Sequence, residues 1–173
     1  MLARAFWKAV TVDRSDLLDR LLELFRDEHV RFCVIGGLAV NAYVEPVVTL
    51  DLDVVVAVPD LARVETSLAS RFRVERFPHS LNVSLPSSEL RVQIQLDPRY
   101  ATFVDRAQRR EVLGVEMPVA AVRDVLAGKV WAVEDGARRA SKRQKDLADI
   151  ARLLEADPSL RPDVPATVLA KLI

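Results

Sequence analysis

The stretch that most narrows the choice of fold is FCVIGGLAVNAYVEPVVTLDLDVVVAVPD, residues 32–60. It joins a short apolar run, a Gly36-Gly37 pair, a segment of helical composition ending before Pro46, and a valine-rich run that opens with Asp51 and Asp53. β-Branched residues on both faces of that second run predict a strand in the interior of a sheet. Residues i and i+2 of a strand share a face, so Asp51 and Asp53 project side by side. Two carboxylates that close repel each other, and burial without compensation protonates one of them or destabilises the fold. The pair needs a cation, hydrogen-bond donors or a solvent-filled cleft. A divalent ion with oxygen ligands meets that need, and Mg2+ commonly takes one or two carboxylates together with phosphate oxygens of a substrate.

Gly36-Gly37 supplies the complementary feature, because backbone without side chains between a strand and a helix lets N–H groups approach a phosphate. Upstream, Leu17, Leu18, Leu21, Leu22 and Phe25 recur at helical spacing, with Ser15 or Asp16 as N-cap. Downstream, Asp60 is expected to cap a helix reaching about Phe72, followed by three strand-like pieces, FRVERF, SLNVSL and LRVQIQL. DPRYATFVDRAQRR reads as helical, and EVLGVEMP as a short extension bounded by Pro118. Three helical segments close the chain: AAVRDVLAGKVWAVED, RRASKRQKDLADIARLLEAD and PATVLAKLI. The order predicts an α+β fold, a mixed sheet flanked by helices over residues 1–118, with a C-terminal helical segment, residues 119–173, packed on it as one structural unit. At 173 residues the chain holds one such unit and is too short for two ordinary domains.

Lys plus Arg equals Asp plus Glu at 25 each, so any anionic partner must be met by a local patch and not by net charge. The one dense basic run is Arg138, Arg139, Lys142, Arg143 and Lys145, which either receives phosphates or forms a solvated helix face. Cys33, the single cysteine, lies in an apolar run and reads as a small buried hydrophobe in a reducing compartment. Nowhere do about 18 apolar residues run together, so neither a membrane nor a signal peptide is expected and the protein is read as cytoplasmic. His29 ends the first helix and His79 sits in a Pro-Ser turn, and neither belongs to a metal-ligand spacing.

Val122, Leu126, Lys129, Val130 and Val133 fall on one helical face, which puts an ammonium in an apolar stripe. Lys129 there either meets an anion such as a triphosphate or snorkels its methylenes to reach water. On the next helix Asp146 flanks the stripe of Leu147, Ile150, Ala151 and Leu154. It pairs with Lys142, with Lys129, or serves the site.

VIGGLAVNAYVEPVVTLDLDVVV, with its glycine turn after a strand and its Asp-x-Asp strand after a helix, resembles the nucleotidyltransferase superfamily of the polymerase-β type. Thr49 completes the T-x-D-x-D form of the AbiEii-like and MenT-like branch and of small stand-alone nucleotidyltransferases, although Val47 stands where that branch often has a basic residue. GKVWAVEDGARRASKRQKDLADIARLL is similar to the helical segment of the family, with a lysine, a basic turn and a K-D-x-x-D run. The resemblance implies Mg2+-dependent transfer of a nucleoside monophosphate from an NTP to a hydroxyl of RNA (such as tRNA), protein or a small molecule, in a toxin–antitoxin setting. It implies Asp51 and Asp53 as metal ligands, Gly36, Gly37 and Thr49 as nucleotide-binding residues, and Lys129 as the phosphate contact oriented by Asp146. Members that catalyse transfer usually carry a third carboxylate on a neighbouring strand. In LRVQIQLDP the matching positions are Gln93 and Gln95, with Asp97 at the strand end as the candidate acceptor-side acid. Glutamine offers a neutral carbonyl to a cation but cannot act as a base. The alternative reading is a catalytically inactive module that keeps the cleft for binding, one half of a toxin–antitoxin pair.

Overall fold

The computed structural model describes Ala5 and residues 16–172. The candidate cap Ser15 lies outside that range. Helix α1 (Leu17–Asp27) buries Leu17, Leu18, Leu21, Leu24 and Phe25, the stripe its spacing predicts. Each such side chain contributes about 1.5–3 kcal/mol on leaving water. Asp16 precedes α1 with φ 53° and does not cap it through its side chain, a departure from the expected N-cap.

Strand β1 (Phe32–Ile35) runs into α2 (Gly36–Asn41), and β2 (Asp51–Val56) follows a loop. A single turn of 3-10 helix, Val58–Asp60, leads to α3 (Leu61–Arg71). Strands β3 (Arg73–Phe77), β4 (Ser80–Ser84) and β5 (Arg91–Gln95) fall where the three alternating pieces place them. A 3-10 segment, Pro98–Arg106, then precedes β6 (Gln108–Val112) and β7 (Val115–Val119). The residues QRR, expected to end a helix, pair instead in a β6–β7 hairpin whose turn is Leu113 and Gly114, both at positive φ. Helices α4 (Val122–Glu134), α5 (Ala140–Ala156) and α6 (Ala166–Leu169) complete the chain.

The seven strands form one mixed sheet in the order β3-β4-β5-β2-β1-β7-β6. β2 pairs parallel with β5 and antiparallel with β1, so the acid-bearing strand is interior, as its valines demand. Asp60 does not cap α3 through its side chain, because its carboxylate accepts from the guanidinium of Arg63.

Alternation along the strands sorts the two faces. Phe32 of β1 meets Phe25 of α1 with ring centroids 4.7 Å apart, and Arg63 and Ser67 of α3 both donate to the Glu28 carboxylate beyond α1. Those two helices cover one face, over Leu52, Val54, Leu81, Val83, Val92 and Ile94, all buried. On the other face α2 packs on β2 and against α4, and α4 packs on α5. That helical layer leaves the β5-β4-β3 half of its face open, where Arg73, Glu75, Arg91 and Gln93 are exposed. Asp51 and Asp53 stand at the border between covered and open halves.

Candidate functional site

Asp53 lies opposite Ile35, the residue before Gly36, in the β1–β2 ladder. Gly36 has φ +69°, and a Cβ built on it would sit 2.4 Å from Asp53 Oδ2 and 3.1 Å from Asp53 Cγ. Only glycine lets the chain turn there and lets the carboxylate lie against the turn. Gly37 is different: a Cβ would find Thr49 Cγ2 at 4.0 Å and nothing closer. Gly36 therefore positions the acid, while Gly37 leaves room at the start of α2.

Burial raises the Asp53 carboxyl first and the charge of Asp51 second, so that it is pushed up to about 6, against the opposing pull of Lys129, Lys142 and Arg138. Part of its surface still opens on the cleft, but its immediate surroundings are dense. Among the described residues no hydrogen bond or ion pair engages its carboxylate. Asp51 is treated differently. Its Oδ1 is 2.7 Å from Nε of Arg91, the residue opposite on β5, and its Oδ2 is 4.0 Å from Nζ of Lys142. The Arg91 side chain is 67% exposed, so it can swing away at little energetic cost. Thr49 Oγ1 accepts from the Asp51 N–H at 3.2 Å and fixes the entry to β2.

These residues line a cleft of about 460 Å3 between the sheet and the C-terminal helices. Lys129, 9% exposed, donates to Asp146 Oδ1 at 2.9 Å and reaches Asp149 Oδ2 at 2.8 Å. Asp146 also accepts from Arg138 Nε at 2.9 Å, and Asp149 pairs with Arg152 at 2.8 Å. Burial alone would lower the Lys129 ammonium, yet Asp149 and Asp146 outweigh it and hold the pKa above the ordinary lysine value. Lys129 is thus a charged, fully paired group in the cleft wall. Asp149 was not singled out from the sequence, although it is the second acid of the K-D-x-x-D run and stands one helical turn from Asp146.

Gln93 lies opposite Asp53 on β5, the position where a third acid is expected. Gln95 lines the cleft too, but its Oε1 accepts from the Asp97 N–H. Asp97 is not among the residues lining the cleft. Its carboxylate caps the Pro98–Arg106 segment by accepting from the Arg99 N–H, and it is gripped by the Arg99 guanidinium at 2.9–3.3 Å, which holds its pKa below the usual carboxylate range. The basic run is divided. Arg138, Lys142 and Lys145 line the cleft, whereas Arg143 donates to the backbone carbonyls of Asp135 and Arg138 and ties down the α4–α5 connection.

Among the described residues no group of three or more His, Cys, Asp or Glu side chains is arranged to hold a metal ion. Two carboxylates, one of them without a partner among the described residues and raised by burial and then by the charge of the other, suit Mg2+, which completes its coordination with water and phosphate oxygens. The donor set fits that ion.

The model of the AbiEii family, described as nucleotidyl transferase AbiEii toxin of a type IV toxin–antitoxin system, matches residues 16–172. No curated protein matches the sequence. Among solved structures, ANT(2″)-Ia in complex with adenylyl-2″-tobramycin superposes with a TM-score of 0.63 at 11% identity, covering 91% of this chain and 97% of that one. The lincosamide antibiotic adenylyltransferase LnuA, bound to lincomycin, gives 0.56 at 14% identity over 83% and 99%. An antigenic nucleotidyltransferase-like protein from Paracoccidioides brasiliensis gives 0.54 at 17% identity over 96% and 86%. At these identities the likeness is one of fold.

Proposed function

The chain belongs to the AbiEii nucleotidyl transferase toxin family, and we propose that it transfers a nucleoside monophosphate from an NTP to a hydroxyl group, with Mg2+ held by Asp51 and Asp53. The observation that carries this reading is the Asp53 carboxylate lying against Gly36 in an open cleft, raised to about 6 and engaged by no partner among the described residues. Mg2+ bound there would supply neutralisation of the charge that builds on the phosphoryl oxygens. The glycine turn admits the triphosphate close to backbone donors, and Thr49 keeps Asp51 in register. Arg138, Lys142 and Lys145 face the phosphates across the cleft. Lys129 presents its charge at the cleft wall, with Asp146 and Asp149 fixing its position. In the transfer the acceptor oxygen bonds to the α-phosphorus, the bond from that phosphorus to the bridging oxygen breaks, and pyrophosphate leaves. Gln93, opposite Asp53, has no basic group to take the acceptor proton, and the Asp97 carboxylate is held by Arg99.

The test is transfer of label from α-labelled NTPs to RNA, protein and small-molecule pools, with Asp51→Ala as control. Label that appears with wild type and not with the variant supports the reading; no label from any of the nucleotides on any acceptor overturns it. Gln93 at the third-acid position favours a second reading, a module that binds Mg-NTP without turnover. Binding seen by calorimetry together with absent transfer identifies that case. Family membership also supports an antitoxin as partner and a role in a toxin–antitoxin pair, and co-purification with the product of a neighbouring gene tests it.

A further inference from the structure

We propose that the hydroxyl of Tyr100 is a donor built into the cleft for a phosphoryl oxygen of the bound nucleotide. This assignment rests on the nucleotide-binding half of the reading above and not on transfer. Tyr100 belongs to the 3-10 segment that follows β5 and packs on β2, and it lines the cleft together with Asp53, Gly128 and Arg138. The residue is 9% exposed, yet among the described residues its hydroxyl makes no hydrogen bond. Burying a hydroxyl without a partner is costly. The described side-chain polar atoms that are sealed from solvent and unpartnered belong to Asn82, Arg110 and Arg143. The Tyr100 hydroxyl therefore keeps an opening, and the space that the residue lines is the cleft.

The ring that carries the hydroxyl is locked. Phe103 and Trp131 both meet it edge to face, with centroids 5.3 and 5.2 Å away, and the guanidinium of Arg99 covers Trp131 at 4.8 Å. Gly128 closes a further side from the middle of α4, where glycine weakens a helix. A Cβ built on it would lie 3.2 Å from Tyr100 Cε1 and 3.8 Å from the hydroxyl oxygen. The glycine thus lets the phenol lie against the helix backbone, one residue before Lys129. A donor held in place in this way loses little freedom when a ligand arrives.

The chemistry of the phenol suits an anionic oxygen. Burial raises its pKa above the ordinary tyrosine value, with Arg99 and Arg138 pulling it down and Asp97 and Asp53 adding to the rise, so at neutral pH it keeps its proton. The same charges place the hydroxyl within electrostatic reach of both Asp53 on the sheet and Arg138 on the helical wall. A nucleotide drawn to the acid pair by a cation presents phosphoryl oxygens with free lone pairs. Arg138, Lys142 and Lys145 meet such oxygens from the helical side. Tyr100 adds a short, neutral donor that repels no metal ion.

The experiment is calorimetry on the full chain, wild type against Tyr100→Phe, with the Mg2+ complexes of α,β-methylene-ATP and of tripolyphosphate. The variant keeps the ring and removes the hydroxyl alone, so its melting temperature is expected to match wild type. Its affinity for both ligands is expected to fall about tenfold, the loss of one hydrogen bond to a charged oxygen. Equal affinity for the nucleotide in the two proteins overturns the proposal, as does a wild type that binds neither ligand. A loss confined to the nucleotide, with tripolyphosphate unaffected, moves the contact to the nucleoside and overturns it too. A lower melting temperature at unchanged affinity assigns the hydroxyl to the scaffold and has the same consequence. Label transfer from α-labelled NTPs separates the two readings. Weakened binding in the variant with no transfer by wild type supports the donor and removes the transfer reading, whereas equal affinity with transfer intact removes the donor and leaves the transfer reading standing.

Discussion

The two walls of the cleft carry charge in opposite ways. On the helical wall every buried ion has protein partners: Lys129 touches Asp146 and Asp149, Asp146 also accepts from Arg138, and Asp149 from Arg152. On the sheet wall Asp53 sits beside Asp51 with no cation in contact among the described residues, and among those residues the one tight partner of the pair is the exposed Arg91 on Asp51. A satisfied network rigidifies a fold. An unsatisfied pair of like charges leaves a place for a cation from outside. The comparison separates a paired wall from an unpaired one on the same cleft, and each can be broken on its own terms.

The largest effect is expected on the helical wall. Lys129→Met leaves two buried carboxylates with only their arginines and should cost about 3 kcal/mol of stability, read as a fall in the denaturation midpoint at unchanged slope. A smaller loss than for an exposed lysine would undo the contrast. Gly36→Ala comes next. It forces a side chain into φ +69° and against Asp53, costing about 2 kcal/mol, and calorimetry should show Mg-ATP affinity lost along with stability.

Asp53→Asn should act in the opposite direction on stability. The carboxyl is raised above its unfolded value of 3.8, so the folded protein holds its proton more tightly than the unfolded chain does. Stability from this group is therefore present below pH about 4, is lost as pH rises towards 6, and stays lost above it. In metal-free buffer the amide variant should be more stable than wild type at pH 8, by at most about 3 kcal/mol, with the gap closing by pH 4 in parallel melts; Mg-ATP binding should be lost. The smallest effect is expected of Gly37→Ala, within about 0.5 kcal/mol of wild type, since a Cβ there touches nothing nearer than 4.0 Å. A large loss at that position would erase the difference between the two glycines.

Much of the frame was legible in the sequence. The stripe of α1, the valine-rich β2 and the alternating β3, β4 and β5 all follow from periodicity, which records whether a residue faces a core. The β6–β7 hairpin was not, because Leu113 and Gly114 make a turn at positive φ that the dipeptide does not advertise, and Gln108, Arg109 and Arg110 form an edge ladder without apolar alternation. At the site, the pairing of Asp51 and Asp53 on one face and the amide at Gln93 were readable from a period of two. The capture of Asp97 by Arg99 was not, although the two are close in the chain, because it depends on the chain turning into a 3-10 segment after β5.

The sequence by itself determined which side chains share a strand face or a helix stripe, since those relations are set by local backbone geometry. It could not say which charges would find partners, because Lys129 and Asp149, Arg91 and Asp51, and Gly36 and Asp53 meet only when separate elements pack. Electrostatic energy falls with distance and rises with burial, and both are properties of the assembled fold. The tertiary structure alone thus decided that one aspartate of the pair is answered by protein while the other meets no partner among the described residues.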